Sequence, residues 1–136
     1  MVHTDYHILL VEDAASSVKL TRLVLEQAGF TVDSVATGAE ALRAADSRDY
    51  DLILLALKLP DINGLEVVRR LHASPGTRQV PIVAVTAHAM PGDGEHAIAA
   101  GCDGYITKPI DVGRFADQIR DYLAPAGEGA EVSTTE

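Results

Sequence analysis

Two adjacent carboxylates, Glu12 and Asp13, follow directly on the apolar run Tyr6 to Val11. Neighbours on the chain, they repel one another, and a hard cation with oxygen ligands such as Mg²⁺, or an ammonium such as that of Lys108, relieves the repulsion. Other apolar runs end at residues of equal interest: Ala56 near the end of DLILLAL, Thr86 after VPIVAV, and Lys108 after GYIT. Acid, hydroxyl and amine thus come from three separate runs, and a fourth supplies only a methyl group. Each has an ordinary explanation alone, since an acidic pair after a strand commonly caps a helix and a threonine there commonly belongs to a turn. Their meaning depends on whether the run ends meet.

The elements between them answer that question. Tyr6–Val11 has strand length and is apolar nearly throughout, as a strand covered by helices on both faces must be. From Ala14 to Ala28, the residues Val18, Leu20, Leu23, Val24 and Leu25 recur at helical spacing, and Gly29 ends the pattern. The alternation continues with strand Thr31–Val35, then helix Ala39–Arg48 carrying Ala41, Leu42 and Ala45 on one face. Strand Asp51–Leu57, helix Leu65–Leu71 and strand Val80–Val85 come next. A helix-compatible stretch over residues 92 to 100, strand Gly104–Thr107 and helix Val112–Leu123, with Phe115, Ile119, Tyr122 and Leu123 helically spaced, complete the pattern. Strands alternating with helices predict a three-layer α/β/α domain, a doubly wound five-stranded parallel sheet of flavodoxin-like type. Open α/β sheets bind ligands beyond the carboxyl ends of their strands, where all of these residues fall.

Composition narrows the setting. At 136 residues the chain has the length of one domain, predicted over 1–123, and the segment 124–136 (APAGEGAEVSTTE) lacks an apolar period and is expected to be disordered. With 20 acidic against 11 basic residues and a net charge of −9, the surface repels phosphate backbones and anionic lipid, so neither nucleic acid nor membrane is an expected partner. The start MVHTDYH has no basic segment followed by an apolar one, and Cys102 is the single cysteine. A reducing cytoplasm is the expected location.

The runs VED (11–13), DLILLALKLPDINGLEVVRRL (51–71), PIVAVTAHAM (81–90) and GCDGYITKPI (101–110), in that order, resemble the receiver domains of two-component response regulators. Within that family the chain is most similar to DivK-type single-domain receivers and to receivers attached to hybrid kinases. The likeness spans residues 6 to 123. It implies a phosphorylation-controlled protein-interaction switch in a phosphorelay, not an enzyme beyond assisting its own phosphotransfer and dephosphorylation. It also implies that Glu12 and Asp13 bind Mg²⁺ with the backbone carbonyl of Lys58, and that Thr86 and Lys108 hold the phosphoryl group. Tyr105 matches the aromatic that changes rotamer on activation, and Pro109 is a candidate cis-proline. The implied partners are a histidine kinase or phosphotransfer protein and a downstream protein bound through roughly Gly92–Leu123.

One departure decides the chemistry. Where the resemblance calls for the phosphoacceptor aspartate, the chain has Ala56. A methyl group has no lone pair with which to attack phosphorus, so Ala56 cannot be phosphorylated. Asp61, five residues on beside Pro60 and Gly64, reads as a turn or helix-entry residue and not as a substitute acceptor. The retention of Glu12, Asp13, Thr86 and Lys108 favours an engineered Asp→Ala replacement or recent loss over a natural phosphate-independent pseudo-receiver. Mg²⁺ binding is expected to be weakened.

A flavodoxin-like cofactor binder on the same architecture is disfavoured, because the acids of the first loop would repel a flavin phosphate. Gly92-Asp-Gly94 lacks the third glycine of a dinucleotide fingerprint. His3, His7, His72, His88 and His96 show no metal-site spacing and read as exposed, Cys102 reads as a buried packing residue, and Lys58 as exposed.

Overall fold

A computed structural model describes residues 6–86, 93–108 and 110–123. The elements run β1 His7–Val11, α1 Ala15–Gln27, β2 Thr31–Val35, α2 Gly38–Ser47, β3 Leu52–Ala56, α3 Gly64–Ala73, β4 Ile82–Thr86, α4 Asp93–Ala100, β5 Gly104–Thr107 and α5 Val112–Leu123. All strands pair in parallel in the order β2-β1-β3-β4-β5, so β3 is central and its neighbours are the first and fourth strands. The predicted fold class is the observed one.

Helices on both faces explain why the strands are apolar throughout. Leu9, Val11, Ile53 and Leu55 face one core with Val67, Val68 and Leu71 of α3, while Ile8, Leu10, Leu52 and Leu54 face the other with Leu25, Phe115 and Ile119. Alternate residues of one strand therefore enter opposite layers, and every residue of β3 is buried. Full burial of such a side chain contributes about 1.5–3 kcal/mol, enough to fix the strand register.

Boundaries differ from the sequence reading where side chains intervene. Asp51 stays outside β3, because its Oδ2 accepts the N–H of His7 at 2.8 Å. Thr86 is the last residue of β4, paired with Thr107, and does not follow the strand. On α1 only Val24 and Leu25 are buried, whereas Leu20 and Leu23 are 42% and 52% exposed. That stripe was predicted too wide: α1 packs against the sheet and α5, and its outer side meets neither. The segments 87–92 and 124–136, His3, His88 and Pro109 lie outside the described residues, and with them the predicted tail and the cis-proline candidate.

Candidate functional site

Parallel register brings the run ends to one edge. Val11 pairs with Leu55, Ala56 with Val85 and Thr86 with Thr107, so Glu12, Ala56, Thr86 and Lys108 lie side by side across four adjacent strands. With Asp13, Leu57, Lys58 and Val85 they line a pocket of about 160 Å³. Of the residues singled out in the sequence, Tyr105 does not line it. Its ring lies against Gly94 at the start of α4 and packs on the core, with the hydroxyl buried and not in water as an edge tyrosine would have it.

The two acids are not equivalent. Glu12 is 6% exposed, while Asp13 and Lys58 are exposed. Lys108 Nζ donates to Glu12 Oε1 at 2.5 Å and to Ser17 Oγ at 3.2 Å, and the Ala14 N–H donates to Glu12 Oε2 at 3.1 Å. The Lys108 backbone is itself fixed by its N–H donating to the Thr86 carbonyl at 2.8 Å. The ammonium thus neutralises Glu12, while Asp13 stays exposed. The acids are not spent on capping α1 either, since the N-cap residue is Ala14 and no side chain caps it.

The loop beyond Ala56 is held from both sides. The Gly64 N–H donates to the Leu57 carbonyl at 2.9 Å, and a Cβ at Gly64 would sit 2.7 Å from the Ala56 carbonyl oxygen and from Leu57 Cα. Only glycine admits that approach. Asp61 accepts the N–H groups of Gly38 and Ala39 at 2.8 and 3.0 Å, which holds its carboxyl below the usual carboxylate range. It therefore ties the β3–α3 loop to the start of α2, alongside the Thr37 hydroxyl accepting from Glu40 N–H. The sequence reading of Asp61 was a turn or a helix entry; the helix it serves is α2, whose Gly38 lies 23 residues upstream, and not the one that follows.

Does the pocket fit a divalent cation? Mg²⁺ asks for several oxygen ligands in near-octahedral array. Glu12 already carries an ammonium and an amide, Ala56 offers a methyl, and Asp13 is the remaining carboxylate. Among the described residues no group of three or more His, Cys, Asp or Glu side chains is placed to hold a metal. While Lys108 occupies Glu12, the implied donors that remain, Asp13 and the Lys58 carbonyl, do not fit the ion.

Two residues were beyond sequence reasoning. Ser17, one turn into α1, reads as an ordinary helix-surface serine, and only the fold carries Lys108 to it from 91 residues away. His7 was read as exposed but is half-buried: Arg48 Nη1 lies 2.8 Å from His7 Nε2 and 3.1 Å from Asp33 Oδ2, which also accepts from the Tyr50 hydroxyl. His72 and His96 are exposed as read, His72 making a 2.9 Å contact to the Gly101 carbonyl, and Cys102 is buried, which together with Asp103 pushes its thiol up to about 11. No helix among the described residues is long and apolar enough to cross a membrane.

The chain is similar to known proteins over most of its length. The chain is 41% identical to the polar-differentiation response regulator DivK of Brucella abortus over 119 residues, 88% of this chain and 97% of that one. Its fold is similar to a putative response regulator of Chloroflexus aurantiacus, with TM-score 0.85, 27% identity, and coverage of 89% of this chain and 99% of that one. It is also similar to the receiver domain of a sensor histidine kinase of Pseudomonas aeruginosa, whose structure has a magnesium ion coordinated in the active-site cleft, with TM-score 0.83, 33% identity, and 89% and 99% coverage. CheY4 of Vibrio cholerae gives TM-score 0.83 at 26% identity, over 88% of this chain and all of that one. The response regulator receiver domain model matches residues 8–120, and with the order of its strands and the pocket at their ends, the chain belongs to that family.

Proposed function

We propose that this receiver is a protein-interaction switch of a phosphorelay whose phosphoacceptor position is Ala56, so that the chain as it stands is held in the unphosphorylated state. The observation that carries this reading is the position of Ala56, at the carboxyl end of the central strand and in one pocket with Glu12, Asp13, Thr86 and Lys108. In the aspartate form, a kinase or phosphotransfer protein would deliver phosphoryl to residue 56, with Thr86 and Lys108 holding its oxygens and Glu12, Asp13 and the Lys58 carbonyl holding Mg²⁺. Charge and acceptor oxygens added there bias a two-state surface. The downstream partner then reads α4, β5 and α5, roughly Gly92–Leu123, in the cytoplasm.

An intact pocket around a missing nucleophile favours an engineered or recent Asp→Ala replacement over a long-standing pseudo-receiver. The test is incubation with acetyl phosphate and Mg²⁺ followed by mass spectrometry. The parent chain gains no phosphoryl group and Ala56→Asp gains one. A phosphorylated parent would mean another acceptor, and a folded Ala56→Asp that stays unmodified would remove position 56 from that role.

A further inference from the structure

We propose that Lys108, clamped between Glu12 and Ser17, is the resident counter-ion of the pocket, and that Ser17 is the positioning residue that keeps a divalent cation out of it. This deepens the reading of the pocket as a receiver site and rests on it. Three observations combine. Glu12 is buried, so its charge requires a close partner, and Lys108 supplies one at 2.5 Å. The ammonium has a further hydrogen bond, to the Ser17 hydroxyl 3.2 Å away on a helix of 13 residues that is packed on the sheet. Nothing at position 56 draws the ammonium away, because Ala56 has no charge to offer.

The consequence is competition. A cation at Glu12 and Asp13 must displace Lys108 from Glu12, and the displaced ammonium finds no second carboxylate at position 56. Mg²⁺ also dehydrates reluctantly, and without Glu12 only Asp13 and the Lys58 carbonyl remain to replace its waters. The pocket is therefore electrostatically closed by a side chain of its own, and Ser17 sets how firmly.

Mg²⁺ titrations by calorimetry and by the midpoint of thermal unfolding test this, since a ligand that binds only the folded state raises the midpoint. The parent chain should bind Mg²⁺ weakly, its midpoint moving by no more than about a degree between EDTA and a large excess of Mg²⁺. Lys108→Met frees Glu12 and should bind Mg²⁺ at least about 10-fold more tightly than the parent, raising the midpoint by several degrees. Lys108→Met leaves a buried carboxylate without its ammonium, so Ser17→Ala, which keeps both charges, is the second arm. It should tighten Mg²⁺ binding about threefold, a fraction of a hydrogen bond's worth, while Ser17→Thr restores parent behaviour. Parent binding as tight as that of Lys108→Met overturns the proposal. So does an unchanged Mg²⁺ affinity in Ser17→Ala. Phosphoryl acceptance by Ala56→Asp is measured separately, so failure of the clamp and failure of the receiver reading give different results.

Discussion

Replacing Gly64 by alanine perturbs the site through the backbone alone. The added Cβ meets the Ala56 carbonyl oxygen at 2.7 Å, Leu57 Cα at 2.7 Å and the Leu57 carbonyl oxygen at 2.8 Å, all backbone atoms. Each contact lies about 0.6 Å or more inside ordinary van der Waals separation. None can be relieved by a side-chain rotation, and the same displacement stretches the 2.9 Å bond from Gly64 N–H to the Leu57 carbonyl. Overpacking costs about 1–3 kcal/mol, and contacts on backbone place this case near 3. For a domain of this size that lowers the unfolding midpoint by roughly 12 °C. Differential scanning calorimetry measures it, with Gly76→Ala as the control, since a Cβ there meets nothing within 4 Å and should change stability by less than about 0.5 kcal/mol. A Gly64→Ala midpoint within about 2 °C of the parent would refute the reasoning. In the Ala56→Asp background the same change should slow phosphoryl acceptance, because the strand end that carries residue 56 is what moves.

Other perturbations test other parts of the molecule. Asp61→Ala removes the acceptor for Gly38 and Ala39 and should lower the unfolding midpoint at neutral pH. Because the folded state holds the Asp61 carboxyl low, its contribution is complete above the unfolded value of about 4 and lost as pH falls through the depressed folded value, so the two midpoints should converge in acid. Burial, followed by the bond to Asp33, pushes the Tyr50 phenol up to about 12 from 10.0. That contribution is complete below pH 10.0 and lost between there and about 12, so urea titrations should show the gap between parent and Tyr50→Phe shrinking over this window. Cys102, its thiol pushed up to about 11 by burial and then by Asp103, should resist a disulfide reagent at pH 8, the order of a free thiol's ordinary value, and react fully once unfolded in guanidinium.

What could be read from the sequence was whatever burial on both faces imposes. Runs such as LILLA have one reading in a parallel sheet, and their ends locate the pocket without any knowledge of side-chain contacts. Helix faces were less legible: Leu20 and Leu23 fit the period of α1 yet stay exposed, because spacing tells which residues share a face and not how much of it a neighbour covers. Ser17, Gly64 and the destination of Asp61 were illegible. Ser17 and Asp61 act on elements distant in sequence, and the close approach at Gly64 depends on how the loop after β3 folds back, which no local pattern encodes.

The separation of Glu12 from Lys108 by 96 positions has a consequence for synthesis. The chain leaves the ribosome from its N-terminus, so Glu12 is exposed to the cell long before its ammonium is made. A nascent chain ending between α3 and β5 carries the acids, the central strand and the loop that Gly64 pins, but lacks the cation that closes the pocket. Closing so long a loop costs entropy that grows only slowly with length, and the pairing of β5 with β4 offsets it. Pocket closure is thus a completion signal: it forms after the fourth strand has been flanked on both sides, and a truncated receiver keeps its acids open to whatever cation the surroundings supply.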